Sequence, residues 1–286
     1  MKFSISYNTL FNGTDPDRLV GFAQHAERCG FEALYLQDHI VLYPGASYGA
    51  GELPPTSPYF DPLDCLSFVA AATQRLLLGT GVLLLPYRHP VVLAKRLATI
   101  DVLSKGRMRL LTVGLGALPG EAQAMGVDFH TRGRRADEAI DVLRLLWSGG
   151  PEGVGYDGEF YAFDNLCSYP KPLEVAELPI HVGGSSRAAA RRAGLRGNGY
   201  FAGGMLDDAE RELQIQLARK AAAEAGRDPA ALEYTRWGSA DLSVEQVQQL
   251  AEHGVTRIVV NLPPVTADEQ HDRLSQFAER FALVTN

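Results

Sequence analysis

Cysteine is scarce in this 286-residue chain, with three residues (Cys29, Cys65 and Cys167) lying far apart. They form no C-x-x-C and no histidine spacing that suits zinc, so neither a disulfide framework nor a metal site is expected. They read instead as reduced thiols in or near the core. Long hydrophobic runs are missing too. No segment approaches the ~20 apolar residues of a membrane-crossing helix, and the start, MKFSISYNTLF, lacks the apolar stretch of a signal peptide. Positive charge does not predominate either, since the net charge is −7, which argues against nucleic acid as a main partner. No repeat, low-complexity tract or interdomain linker interrupts the chain. These absences leave a soluble, cytoplasmic protein of ordinary composition, 46% hydrophobic and 21% charged. A chain of this length buries roughly 75% of its unfolded surface and folds without staples. Arginine outnumbers lysine and alanine is abundant, as in proteins of GC-rich genomes.

What the chain does carry is an alternation of strand and helix patterns. FSISYN (3–8) reads as a strand, and Asp15-Pro16 opens a helix that Gly30 stops. ALYLQD (33–38), a long loop over 39–60 and a helix from Asp61 to about Gln74 follow. LLLGTGVLLLPYRHP (76–90) is apolar on both faces, the mark of a strand in a parallel sheet covered by helices, and it runs into a helix over 90–105. MRLLTVGLG (108–116) leads to the amphipathic helix RGRRADEAIDVLRLLWSG. Residues 151–177 break the rhythm with a small β-excursion, YDGEFYAFDN. LPIHVGG (178–184), GYFAGG (199–204), LEYTRWGSA (232–240) and RIVVNLP (257–263), each followed by a helix, complete eight pairs. Strict alternation implies parallel strands and right-handed crossovers. Eight pairs imply closure into an α/β (β/α)8 TIM barrel, one domain over 1–286 with an insertion around 151–177. An open doubly wound sheet is the rival.

In such a barrel the site lies beyond the C-terminal strand ends, and four of these ends carry unusual residues. The second ends in Gln37-Asp38-His39, and a histidine there suits acid–base work near neutral pH. The third holds Gly79-Thr80-Gly81-Val82, a bulge or a close approach of backbone or ligand. The fourth ends in Gly114-Leu115-Gly116, with Gly120 and Glu121 behind it. This is one residue longer than the dinucleotide fingerprint and lies on the wrong strand for a Rossmann site. Glycines that admit a planar ligand are the better reading. The fifth ends in Gly183-Gly184-Ser185-Ser186-Arg187 at the start of a helix. Backbone N–H groups, hydroxyls and a guanidinium make an anion site there, beyond what a plain serine cap requires. A flat ring with a phosphorylated tail, a flavin or deazaflavin, suits this set.

The blocks HAERCGFEALYLQDH, LLLGTGVLLLPYRHPVVLAKRLATIDVLSKGRM, RGRRADEAIDVLRLLW, LPIHVGGSSRAAARRAG and HGVTRIVV together resemble the luciferase-like monooxygenase superfamily, and within it the F420-dependent oxidoreductase branch. The resemblance covers nearly the whole chain and implies a barrel with an inserted segment, built as a homodimer. It implies a non-prolyl cis peptide at Gly81–Val82 as the back wall of a deazaflavin site. It further implies Asp38 against the deazaflavin and His39 as the proton donor. Leu84, Leu115 and Gly116 would line the ring, and Gly183, Gly184, Ser186 and Arg187 would hold the phosphate side. One departure matters, because sugar-phosphate dehydrogenases of this branch carry Glu directly after the fourth-strand G-x-G, where this chain has Ala117. Glu121 follows four residues later, in the place of a loop anchor. Glucose 6-phosphate is therefore not the expected substrate.

The expectation is an F420-dependent oxidoreductase that moves a hydride between the deazaflavin and an unidentified small organic substrate, with loop 39–60 and its Tyr43, Tyr48 and Tyr59 forming part of the pocket. Two alternatives stay open. One is an FMN-dependent monooxygenase using reduced flavin and O2, and the other is a barrel that binds F420 without turnover.

Overall fold

The computed structural model describes residues 1–49, 51–174, 176–204 and 206–283. Eight strands form the wall: β1 (Lys2–Tyr7), β2 (Ala33–Leu36), β3 (Leu77–Thr80), β4 (Met108–Gly114), β5 (Ile180–Gly184), β6 (Gly199–Ala202), β7 (Glu233–Ser239) and β8 (Arg257–Asn261). Every pairing between them is parallel; β8 returns to β1 and β4 pairs with β5, so the sheet closes on itself. The barrel expected from the eight-fold alternation is the one observed, and the open sheet is set aside.

One long helix follows each strand: α1 (Pro16–Arg28), α2 (Pro62–Ala72), α3 (Pro90–Leu103), α4 (Arg132–Ser148), α5 (Arg187–Arg196), α6 (Asp208–Glu224), α7 (Val244–Glu252) and α8 (Ala267–Arg280). Their starts are dictated locally. Asp15 and Asp61 each accept backbone N–H groups of the first turn ahead of a proline, which satisfies donors a helix start leaves unpaired. Ser243 and Thr266 complete reciprocal capping boxes with Gln246 and Glu269. The main core lies between strands and helices, while a smaller inner core of Ala33, Tyr35, Leu110, Phe201 and Val259 fills the barrel, with Leu77 and Trp237 packed on it. No helix among the described residues is long and apolar enough to cross a membrane.

Several elements differ from expectation. The strand over 33–38 stops at Leu36 because Asp38 turns aside into an ion pair with Arg88. The apolar run 76–85 splits into Leu77–Thr80 and Leu83–Leu84, both paired with β4, with a register shift after Leu78. Between the two pieces the Gly81–Val82 peptide is cis, as the resemblance implies. Short helices at Thr9–Asn12 and Pro119–Ala124, and a two-residue ladder inside loop 39–60, have too little periodicity to be seen in sequence. The excursion at 151–177 is an antiparallel hairpin, Val154–Asp157 with Ala162–Leu166. It docks on α4, where Glu138 accepts the N–H groups of Glu159 (2.8 Å) and Phe160 (2.9 Å). Cys167 departs from the near-core expectation: it is exposed beside that hairpin, whereas Cys29 is buried and Cys65 partly so.

The lower end of the barrel is closed by charge. The Arg257 guanidinium is 1% exposed and forks onto two carboxylates, Glu32 (2.7 and 3.1 Å) and Glu233 (2.7 Å). Glu233 also takes Lys2 at 2.6 Å and lies 3.5 Å from Nε2 of His181. Burial opposes the charge on Arg257, but the flanking carboxylates overcome it and hold its pKa above the ordinary value. Burial also pushes His181 down to about 4, with Arg257 and Lys2 adding to the effect and Glu233 opposing it.

A neutral buried histidine stabilises the folded state only while the unfolded chain is also neutral. The contribution is therefore full above the unfolded value of about 6.5 and is lost as pH falls towards about 4. Urea unfolding of the wild type is expected to lose about 3 kcal/mol across that window, and His181→Gln is expected to flatten that part of the profile. An unchanged slope in the variant contradicts the assignment.

Candidate active site

The upper mouth is organised around one guanidinium. Arg88, in the turn that leaves the β3 continuation, donates to both oxygens of Asp38 (2.9 and 3.3 Å) and to Asp61 (2.9 Å). Asp38 also accepts the Leu84 N–H at 2.9 Å. Asp61 in turn caps α2 through the N–H of Leu63. Burial lifts the Asp38 carboxyl above its ordinary value against the pull of Arg88. At the more open Asp61, burial is outweighed by Arg88 and the carboxyl is held low. Burial works against the charge of Arg88 as well, yet two anions keep its pKa raised. Asp38 is thus 4% exposed with both oxygens engaged, which makes it a tie between strands and not an open ligand.

Beside it stands a second pair. Nδ1 of His39 lies 3.3 Å from Oε2 of Glu121, a fully buried carboxylate that also accepts the N–H groups of Ile40 (2.7 Å) and Val41 (3.4 Å). The His39 ring meets Tyr59 at 4.7 Å between centroids. Burial and then Glu121 raise the Tyr59 hydroxyl. Glu121 therefore sets both the first turn of loop 39–60 and the orientation of His39, the anchor role its position suggests. Tyr43 lies against the same segment, its hydroxyl accepting Gly120 N–H at 3.3 Å.

The wall facing this pair is built of glycine. The Val82 side chain sits over Gly114 and Gly183, where an added Cβ would come within 2.4 Å of it. Gly116, at φ +78°, passes directly under the Tyr87 hydroxyl, so a side chain there is excluded by both conformation and space. That hydroxyl is buried without a hydrogen-bond partner among the described residues, and burial followed by Glu121 pushes its pKa up to about 12. Leu115 is partly buried against the main core, and Leu84 is buried with Tyr87, Ala122 and Val127. The Leu84 side chain thus lies behind the wall, while its N–H is held by Asp38.

At the β5–α5 turn, Ser185, Ser186 and Arg187 are exposed and Gly184 partly so. Ser186 caps α5 through the Ala189 N–H at 3.1 Å. The turn is pinned from below, because Tyr200 donates to the Gly184 carbonyl (2.8 Å) and Gln214 to that of Ser185 (3.1 Å). With its carbonyls turned down onto these groups, the turn leaves hydroxyls and helix-start N–H groups on its open side, an arrangement suited to an anion. Arg187 does not join them: its fork is taken by Glu210 at 3.0 and 2.9 Å. The expected bidentate phosphate contact would therefore require that pair to open.

Sequence reasoning missed Trp237, whose ring packs on Phe201 (4.7 Å) and would lie 3.2 Å from a Cβ on Gly81. It shares strand parity with buried Thr235, the one signal that points it inward. Among the described residues no group of three or more His, Cys, Asp or Glu could hold a metal.

The luciferase-like monooxygenase family profile matches residues 1–282. A protein named F420-dependent glucose-6-phosphate dehydrogenase from Microbacterium testaceum is 28% identical over 307 aligned positions, covering 92% of this chain and 84% of the relative. Among solved structures, an F420-dependent secondary alcohol dehydrogenase in complex with an F420–acetone adduct superposes with TM-score 0.81 at 18% identity over 100% of both chains. The monooxygenase RslO1 from Streptomyces bottropensis superposes with TM-score 0.79 at 22% identity over 99% of both chains.

Removing one partner of a buried ion pair strands the other, typically at about 3–5 kcal/mol. Asp38→Ala is expected to cost that much in urea unfolding. Combined with Arg88→Ala it should cost clearly less than the sum, because the two share one interaction. Strict additivity of the two losses contradicts a coupled clasp.

Proposed function

Because the chain belongs to the luciferase-like monooxygenase family, we propose that it is an F420-dependent oxidoreductase transferring a hydride between the deazaflavin and a small organic substrate. The observation that carries this reading is the Gly81–Val82 segment at the mouth, whose Val82 side chain is seated on Gly114 and Gly183 so that its backbone lies beside the exposed β5–α5 turn. These residues fit a planar ring with a phosphorylated tail. The names of the Microbacterium relative and of the alcohol dehydrogenase support F420 over FMN. Gly81, Val82, Leu115 and Gly116 would back the ring, and Gly183, Gly184, Ser185 and Ser186 would receive the phosphate. Asp38 and Leu84 would act one step behind as positioning residues.

When bound, F420 supplies a two-electron hydride donor or acceptor. The chain's own task is to hold the substrate and move the accompanying proton. With Oε2 of Glu121 beside Nδ1, the ring proton sits on Nδ1 and Nε2 of His39 is left to exchange a proton with the substrate oxygen. Tyr59 packs on the ring and restricts its rotation. The reading includes a cytoplasmic, single-domain homodimer. The exposed apolar side chains Phe68, Val92 and Leu103 on the outer faces of α2 and α3 would meet the second copy.

Purified apo-protein is expected to bind F420 at micromolar concentration, read by deazaflavin fluorescence, and FMN more weakly. Binding of FMN without F420 contradicts the cofactor assignment and favours the monooxygenase alternative. His39→Ala should lower kcat by about 10²–10⁴-fold with F420 affinity unchanged. Equal background rates for both proteins would identify a binder without turnover.

A further inference from the structure

The distribution of cations around the mouth bears on the substrate. Residues 3–17, 29–74, 237–256 and 258–272 contain no lysine or arginine. These stretches include the strand-to-helix connections after β1, β2, β7 and β8, four contiguous strands of the barrel. Half of the mouth is therefore built without a cation of its own. Of the arginines that border this half, three are matched by carboxylates, while Arg211 gives one N–H to the Gly204 carbonyl and keeps Nε and Nη1 without a partner among the described residues. Arg88 is shared between Asp38 and Asp61, and Arg18 donates to the Val265 carbonyl and to Gln270. Arg236 is paired with Asp208 and Arg187 with Glu210. Arg257 lies at the opposite end of the barrel, with Glu32 and Glu233. The charged group in contact with His39 is the Glu121 carboxylate.

The same half carries neutral hydrogen-bonding groups. Alternate residues of a strand share a face, so Asn261 continues the inward row of Val259, and Gln37 directly follows the last residue of β2 at the mouth. Both amides are partly exposed, and among the described residues neither side chain has a hydrogen-bond partner. Gln37 follows β2 and Asn261 ends β8, the two strands that flank β1, on the side of the mouth where β7 contributes Trp237.

Resting on the reading of the β3–β5 side as the cofactor half, we infer that the opposite half takes an uncharged hydroxyl or carbonyl compound, hydrogen-bonded by Gln37 and Asn261 beside His39, and rejects phosphate esters. A phosphate dianion placed there would leave water for a wall whose own connections supply no cation, beside the buried Glu121 carboxylate. An alcohol or ketone would instead satisfy two idle amides.

The test uses F420-loaded protein, after F420 binding has been measured on its own; failure at that first step sinks the cofactor reading and not the substrate class. Uncharged secondary alcohols with their ketones are then compared with glucose 6-phosphate, by ligand-observed NMR binding and by change in deazaflavin absorbance. Binding and turnover of an uncharged member are expected, with no saturable binding of glucose 6-phosphate. Gln37→Ala and Asn261→Ala should each raise KM for that member roughly tenfold while F420 affinity holds, and Asn261→Lys should gain affinity for glucose 6-phosphate. The inference is overturned if glucose 6-phosphate binds the wild type as well as the uncharged compounds do. It is equally overturned if no uncharged member is turned over, or if KM ignores both alanine variants.

Discussion

A single guanidinium, that of Arg88, joins three elements at the mouth of this barrel. It binds Asp38 just past the end of β2, it sits in the turn that leaves the β3 continuation, and it reaches Asp61, the cap of α2. The Arg88 side chain is 12% exposed and that of Asp38 1% exposed, so these charges are largely out of water and cannot be left unmatched. The requirement to satisfy them fixes where the chain goes. Asp38 takes the Leu84 N–H, which holds the far side of the Gly81–Val82 segment. Asp61 ends loop 39–60 at a set point, so the first and last residues of that loop are tied to the same group.

The two ends of the barrel use charge in opposite ways. At the lower end Arg257, Glu32, Glu233 and Lys2 form a closed set in which each charge has a partner, with His181 kept neutral among them. That arrangement plugs the barrel and offers nothing to a ligand. At the upper end the charges are gathered into the Arg88 clasp and the Glu121–His39 pair, whose carboxylates also hold backbone N–H groups, and the rest of the mouth is glycine, amide and hydroxyl. Stability and chemistry are thereby separated along the strands, as the (β/α)8 architecture allows. Glu121 links the two kinds of duty: fully buried, it orders the start of a loop and through that loop the His39 ring.

Much of the fold is legible in sequence because it rests on local signals. Asp15-Pro16 and Asp61-Pro62 announce helix starts, Gly30 a stop, and the apolar run 76–85 a strand that both faces bury. The glycine sites were equally visible, and Gly81–Val82, Gly116 and the β5–α5 turn all lie at the mouth. What sequence could not supply was partnership between residues far apart. Arg88 follows Asp38 by 50 positions, and Glu210 follows Arg187 by 23. Only the closed barrel brings them together. Asp38, expected against the deazaflavin, is thus seen tied to Arg88 and the Leu84 N–H, and Arg187 is matched by a carboxylate. Trp237 was hidden for a related reason, since its inward direction depends on the parity of a strand whose edges are polar. The cation-free stretches could be counted from the beginning, yet they acquire meaning only when topology places them on one side of the mouth.

The central claim is that the Gly81–Val82 segment, seated on Gly114 and Gly183, and the β5–α5 turn together form the seat of a deazaflavin. A crystal structure of the protein soaked with F420 tests this most directly. The account predicts the ring against Gly81–Val82, with its phosphate on the N–H groups and hydroxyls of Gly184–Ser186. A ring bound elsewhere, or a phosphate lodged on the β7–β8 side of the mouth, would contradict it.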